Sequence, residues 1–395
     1  MSTGVLAVGC NAANSLDAYD AADLSKCVDA VTLFAGITAG IINGVAFSPS
    51  GAKLAAALSG LPFLAVIDTV AAAPVTLAGG NPASSGNGVS FSPDGALLAV
   101  ANNSVPSLTV YDTDDWTKVT FTSTPPEGQG YSCAFSPDGS LLAVGHGTSP
   151  FLSVYIVATG VRVALAGGNP SGIGYGVAFS PDGSKLAVAH ATSPYLTVYN
   201  TADWSKVTIS GGNPAGTGRG VAFSPDGSRL AVAHATSPYL TVYNVADWSK
   251  VTISGGNPAG NGRGVAFSPD GTRLAVVHTT SPYLTVYITS TWGKASLTGG
   301  NPAGEGNGCA WRAAAPLRVA ALVPHVVTDD TGAPASRVHR LYRRSNGELL
   351  ASRTSSAGGE YSAPFLTALP VQVVVLDDDA GSVYNDKILG RVIPG

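Results

Sequence analysis

"GVAFSPDGSRLAVAHATSPYLTVYNVADWSKVTISGGNPAGNGR", residues 220–263, recurs with light edits from Gly176 and again from Gly264. Phe47, Phe91, Phe135, Phe179, Phe223 and Phe267 each open a Phe-Ser-Pro-x-Gly stretch, and successive ones lie 44 residues apart. A sixth step lands on Trp311 in "NGCAWRA", where Ser-Pro-Asp-Gly is gone. A period of about 40 to 45 residues is the length of a four-stranded propeller blade, although helical repeats reach similar lengths. The interior of the phrase decides between them. "GVAF" (220–223), "RLAVAHA" (229–235), "YLTVYN" (239–244) and "VTIS" (251–254) are rich in Val, Tyr, Thr and Leu and are separated by turn residues, which reads as four short antiparallel strands. Ser224-Pro225-Asp226-Gly227 puts proline where a type I turn wants a fixed φ and glycine where φ is free.

The start and stop of the phrase set the number of blades. The N-terminal segment carries only the later strands: "VLAVGC" matches the second, "SLDAYD" the third and "AVTLFAG" the fourth. Its missing first strand is supplied by "GCAW" at 308–311. The expectation is an all-β chain: a seven-bladed β-propeller over 1–316, whose seam blade is shared by the two ends of the domain, and a small C-terminal β-sandwich over 317–395. Sharing a blade closes the ring without leaving an open sheet edge, the kind of edge that invites aggregation.

Composition agrees. Gly (49) and Pro (26) are abundant, as a chain that turns every few residues requires, and only 12% of residues are charged. Blades covered on both faces by their neighbours need apolar or small residues on both sides of their central strands, as in the repeated "LAVA". The uncharged run "AVTLFAGITAGIINGVAF" at 30–47 is interrupted by Gly and Asn43 and aligns with two strands and a turn, so no membrane insertion is expected. "LAVGC" before Cys10 has no basic residue ahead of it and too short an apolar run for a signal peptide, so folding in the cytoplasm without processing is expected. Four cysteines with no C-x-x-C support neither a zinc site nor a disulfide framework. Cys133 and Cys309 sit where five other copies have Val, which reads as core packing, while Cys10 and Cys309 share the seam blade and could staple it. A net charge of −4 without a basic stripe argues against nucleic acid as a partner.

After Pro316 the repeat disappears and charge becomes denser, with runs such as "ASRVHRLYRR", "ELLASRTS" and "VQVVVLDDD" bounded by "SNG" and "AGG". About 79 residues is small for an independent core, so docking to the propeller or to a partner would help it.

In "VAFSPDG…LAVA…LTVY" the repeats resemble WD40-like and lactonase-like propellers, which implies architecture more than activity. The tail "RVHRLYRRSNGELLASRTSSAGGEYSAPF…VVVLDDDAGSVYNDKILGRVIP" resembles C-terminal modules of virion proteins of tailed bacteriophages. That resemblance covers the last fifth of the chain. It implies a structural component of a phage particle, in the tail or its tip, assembled in the host cytoplasm and held to other tail or baseplate proteins through 317–395 or a propeller face.

The candidate site follows from where copies differ while their surroundings stay fixed. The residue four before each Phe reads Asn43, Asn87, Tyr131, Tyr175, Arg219 and Arg263, and before Trp311 it is Asn307. This position opens the innermost strand, so all seven are expected to ring one mouth of the central channel. Asn, Tyr and Arg are donors, stacking surfaces and carboxylate partners, residue types that bind sugars, anions or another protein's loop. A solvated rim tolerating any polar residue is the alternative.

His146, His190, His234 and His278 fall at one position in four consecutive blades. They invite a metal reading, but one group per blade on separate sheets does not converge on one ion, and a buried role, bonded to the recurrent Asp203 and Asp247, is expected. Trp204 and Trp248 of "ADWSK" read as outer-strand packing. No G-x-S-x-G, H-E-x-x-H or phosphate-binding loop occurs. "LDDDAG" at 376–381 lacks the alternate spacing of a calcium loop. No catalytic residue, metal or cofactor is therefore assigned. The expectation is a non-enzymatic virion protein whose propeller faces a protein or a host-surface glycan. The alternatives are a lactonase-like hydrolase with its site in the channel and an intracellular WD-repeat scaffold.

Overall fold

The computed structural model describes residues 4–11, 16–26, 40–69, 71, 73–123, 126, 128–312 and four C-terminal strands. Among the described residues every regular element is a β-strand. Residues Gly4–Ala313 form one compact unit and Ala314–Gly395 belong to a second.

The first unit is a seven-bladed β-propeller. Its inner strands are Ile42–Phe47, Gly86–Phe91, Gly130–Phe135, Gly174–Phe179, Gly218–Phe223, Gly262–Phe267 and Gly306–Arg312. Each packs against the inner strands of the blades before and after it, and the last meets the first. In the seam blade Gly306–Arg312 pairs with Val5–Cys10, which pairs with Leu16–Asp20, all antiparallel. "AVTLFAG" lies outside the described residues.

The blade at 218–254 shows why the phrase folds as it does. In the Ser-Pro-Asp-Gly turn the Gly227 N–H donates to the Ser224 carbonyl at 2.9 Å with Gly227 at φ +70°. The Ser224 hydroxyl donates to Asp226 Oδ1 at 2.5 Å and accepts from the Arg229 N–H at 2.9 Å, so the turn hands the chain directly into the next strand. That strand, Arg229–His234, is buried from Leu230 onward. Its two faces meet the blades on either side, and alternation between apolar and polar residues gives way to a continuous small or apolar run. From the third strand the Tyr243 hydroxyl donates to the Gly212 carbonyl of the preceding blade's last loop at 2.7 Å. Tyr199 and Tyr287 repeat this at 2.7 Å on Gly168 and Gly256, and Tyr19 repeats it across the seam on Gly300 at 3.1 Å.

The fourth strand departs from the expectation. "VTIS" is not a full strand: Lys250 makes a single bridge to Tyr243, and the same reduction occurs at Lys206. Elsewhere two or three residues pair, as in Gly293–Ala295. The cause is packing. Val207 and Ile209 lie against the core holding Val221, Tyr243 and Trp248 of the following blade, and Val251 and Ile253 do the same one blade on. The segment leaves its own sheet to cover the neighbour. Trp248, 7% exposed, belongs to that core, as outer packing requires.

The seam staple is not formed: Cys10 and Cys309 are free thiols, Cys10 standing opposite Gly306 and Cys309 opposite Val8. Burial pushes both up to about 12. Ile42–Phe47, the end of the uncharged run, is an inner strand, and no helix among the described residues is long and apolar enough to cross a membrane.

In the second unit, Leu349–Thr354, Val338–Arg343, Val371–Leu376 and Lys387–Val392 form one antiparallel sheet in that order. That sheet is all the described residues hold of the expected sandwich, and "LDDDAG" beyond Leu376 lies outside them.

Candidate functional site

In every blade the ladder between the inner and second strands skips one inner-strand residue. Gly218 pairs with His234 and Gly220 with Ala233, which leaves Arg219 unpaired. The same slip singles out Asn43, Asn87, Tyr131, Tyr175 and Arg263, and in the seam blade it singles out Asn307 between Gly306 and Gly308. All seven candidate residues are therefore β-bulge residues, and a bulge frees a side chain from the alternation of its strand.

The glycine after the bulge draws the ring tight. A Cβ on Gly176 would stand 2.6 Å from the Arg219 carbonyl oxygen, one on Gly220 2.9 Å from that of Arg263, and one on Gly308 3.0 Å from that of Asn43. Gly44 and Gly88 meet Asn87 and Tyr131 in the same way, at 2.9 Å. Backbone touches backbone from blade to blade, and the seven side chains stand around one end of the propeller axis.

Their contacts divide the ring into two arcs. On one, the amides are spent on inter-blade bonds: Asn307 Nδ2 donates to the Ile42 carbonyl at 3.1 Å, Asn43 Nδ2 to Gly86 at 2.9 Å and Asn87 Nδ2 to Gly130 at 2.7 Å. On the other arc the side chains stack. The Tyr131 and Tyr175 rings meet edge to face with centroids 4.8 Å apart, and the Arg219 guanidinium lies over the Tyr175 ring at 5.0 Å. The Tyr131 hydroxyl donates to Gln129 Oε1 at 2.6 Å, and its ring rests over Gly147. Burial, and then proximity to Tyr175, raises the Tyr131 hydroxyl above its usual range, with Arg219 acting the other way. Arg263 closes the circle by donating to Asn307 Oδ1 at 2.9 Å and to Glu305 Oε2 at 3.0 Å.

Glu305 and Gln129 were not anticipated. They occupy the position two before the bulge, which reads Ile41, Ser85, Gln129, Ile173, Thr217, Asn261 and Glu305. This is a second position that varies while its surroundings stay fixed, the same signal in the sequence that marks the rim. Glu305 puts a carboxylate on a rim expected to have none. It also ties the mouth to the seam, because its carbonyl accepts from the Asn11 N–H at 2.7 Å.

The four histidines stand beside the ring but inside the blades, 0–1% exposed. His146 Nε2 bonds Ser153 at 3.0 Å, and His190, His234 and His278 bond Thr197, Thr241 and Thr285 at 2.9 Å. Asn102 fills the same role in its blade, donating to Thr109 Oγ1 at 2.7 Å. The expected pairing with Asp203 and Asp247 is not made. Both carboxylates lie at the opposite end of the third strand, where they accept from the Ser205 and Ser249 N–H groups and hydroxyls at 2.7–2.9 Å. Burial depresses the imidazoles to about 4 for His146, His190 and His278, and downward for His234. They are neutral structural groups, each turned to its own blade.

No family model and no curated protein matches the chain. Among solved structures, it is similar to a functionally unknown protein from Desulfotomaculum acetoxidans DSM 771, at 16% identity and a TM-score of 0.59 over 79% of this chain and 99% of that one. It is also similar to Kuenenia stuttgartiensis hydrazine synthase, at 17% identity and a TM-score of 0.51 over 62% of this chain and 76% of that one. At such identities the likeness is one of fold, and the fold is that of a seven-bladed β-propeller.

Proposed function

We propose that this chain is a non-enzymatic binding protein of a tailed-phage particle, with the propeller as a rigid display disc and the bulge ring as its recognition surface. The observation that carries the binding role is the ring itself. Seven consecutive bulges set their side chains at one mouth, and among the described residues Tyr131, Tyr175 and Arg219 make no hydrogen bond to a neighbouring blade, whereas the three asparagines and Arg263 each do. Residues that vary inside a fixed frame without holding that frame together are suited to contact something else. The particle, and attachment to tail or baseplate proteins through 317–395, rest on the resemblance of the C-terminal phrase to phage virion modules. A host-surface glycan is the ligand this reading favours, since tyrosine faces and guanidinium donors serve sugar rings and their polar groups. A hydrolase is disfavoured by the pairing of Glu305 with Arg263 and by the bonding of each histidine within its own blade.

The test is a glycan array and whole-cell binding assay comparing the wild-type chain with Tyr131→Ala/Tyr175→Ala/Arg219→Ala. Loss of binding with an unchanged melting temperature supports the mouth as the site. Undiminished binding in the triple variant places recognition elsewhere, and a wild-type chain that binds nothing overturns the receptor role.

A further inference from the structure

The charges of the mouth are unevenly compensated. Arg263 is matched by Glu305 at 3.0 Å. Arg219, exposed and one blade away, makes no ion pair with any described carboxylate; its contact is the Tyr175 ring. A guanidinium stacked on an aromatic face has that face occupied, while its in-plane N–H donors stay directed outward in the fork that matches a carboxylate. Stacking also removes the rotamer freedom that a solvated arginine loses on binding, so part of the ordering cost is met before a ligand arrives. The Tyr175 hydroxyl makes no hydrogen bond to any described residue, and it belongs to the ring that the guanidinium lies over. The arc thus offers an oxyanion fork, an unpaired phenol and aromatic edges side by side, on a protein whose net charge is −4.

We infer that Arg219, Tyr175 and Tyr131 form a subsite for an acidic saccharide, with the sugar carboxylate held in the plane of the Arg219 guanidinium and a sugar hydroxyl on the Tyr175 phenol. This rests on the reading of the mouth as a glycan site and narrows it to one arc and one charge. A saccharide with a carboxylate supplies both partners at once: an anion for the fork, and C–H faces and hydroxyls for the tyrosines. The amide arc contributes ring closure instead.

Calorimetric titration of the full chain tests this with two matched pairs: tri-galacturonate against its methyl ester, and 3′-sialyllactose against lactose. Binding of an acidic member at least tenfold tighter than its neutral partner, weakened by salt, is the expected result. Arg219→Ala should cost about 10- to 100-fold in affinity for the acidic ligand, the loss typical of a hydrogen bond to a charged group. Arg219→Lys, which keeps the charge but not the fork, should recover only part of it. Arg229→Ala, which removes the same charge at the opposite end of its blade, should leave affinity unchanged. Equal binding of acidic and neutral partners overturns the oxyanion subsite while the glycan reading stands. Acetate or sulfate binding as tightly as the acidic sugars overturns the saccharide assignment. Binding of none of the four sugars overturns both readings.

Discussion

His146, His190, His234 and His278 are held neutral by burial, and that fixes the sign of their effect on stability. Their folded pKa, about 4 for three of them, lies below the value near 6.5 of an unfolded histidine. Below about pH 6.5 the unfolded chain therefore binds more protons than the folded one. The stability these groups contribute is complete above that pH and drains away as pH falls toward 4. Denaturant unfolding followed across pH 4 to 7 should show this loss, with up to four protons taken up per molecule. Asn102 supplies the control, because it bonds its blade's threonine without titrating. Replacing all four histidines by asparagine should flatten the profile across this window while leaving the fold intact at pH 7. A profile as steep as that of the wild type would assign the acid sensitivity to other groups.

At the scale of the element, the glycine that follows each bulge matters for space and the loop glycines for backbone angle, and the two can be separated. Gly176 meets the Arg219 carbonyl, a backbone atom that cannot swing aside, whereas Gly168 has φ +72° and nothing within 4 Å of an added Cβ. Gly168→Ala should cost about 1 kcal/mol, the price of a left-handed alanine. Gly176→Ala must push two blades apart and should cost about 3 kcal/mol, at the upper end for overpacking. Chemical denaturation of the two variants orders them; equal losses would mean that the ring has slack at the bulge. Ser132 is the natural exception, and its hydroxyl accepts from the Val177 N–H at 3.3 Å, so the extra atom is used where it is admitted.

At the scale of the propeller, one acidic residue reinforces the strand pairing that closes the seam. Asp17, 7% exposed, stands where five other blades have threonine or serine in the third strand and one has Ala65. It pairs with Lys26 at 2.9 Å and accepts from the Ala303 N–H at 2.8 Å, so one carboxylate grips both ends of the propeller chain. Asp17→Ala should cost about 2 kcal/mol, the loss of hydrogen bonds to a charged group. In hydrogen exchange it should lower protection across Val5–Cys10 before Arg229–His234; a uniform loss would mean that the ring opens as a unit. The latch was legible only in part. The 44-residue period and the missing first strand gave the blade count and the shared seam, because both are written in residue order. The role of Asp17 was hidden, since its partners lie 9 and 286 residues away. The position of the rim residues could be read from their variation, but the division into two arcs could not: whether Asn87 faces a ligand or the Gly130 carbonyl depends on inter-blade distances that no single strand encodes. The fourth strand was overread because "VTIS" has strand composition, while its side chains answer to the next blade.

An unpaired residue is one whose identity the hydrogen-bond ladder does not inspect. Where Tyr131, Tyr175, Arg219 and Arg263 stand, the registers on either side are the same whether the side chain is a phenol or a guanidinium. The mouth therefore works as a set of interchangeable slots on an invariant frame. On the proposed reading of the mouth as a recognition surface, its specificity is open to rewriting at Tyr131, Tyr175 and Arg219 without disturbing the surrounding repeats, whereas Arg263 also pairs with Glu305 of the next blade.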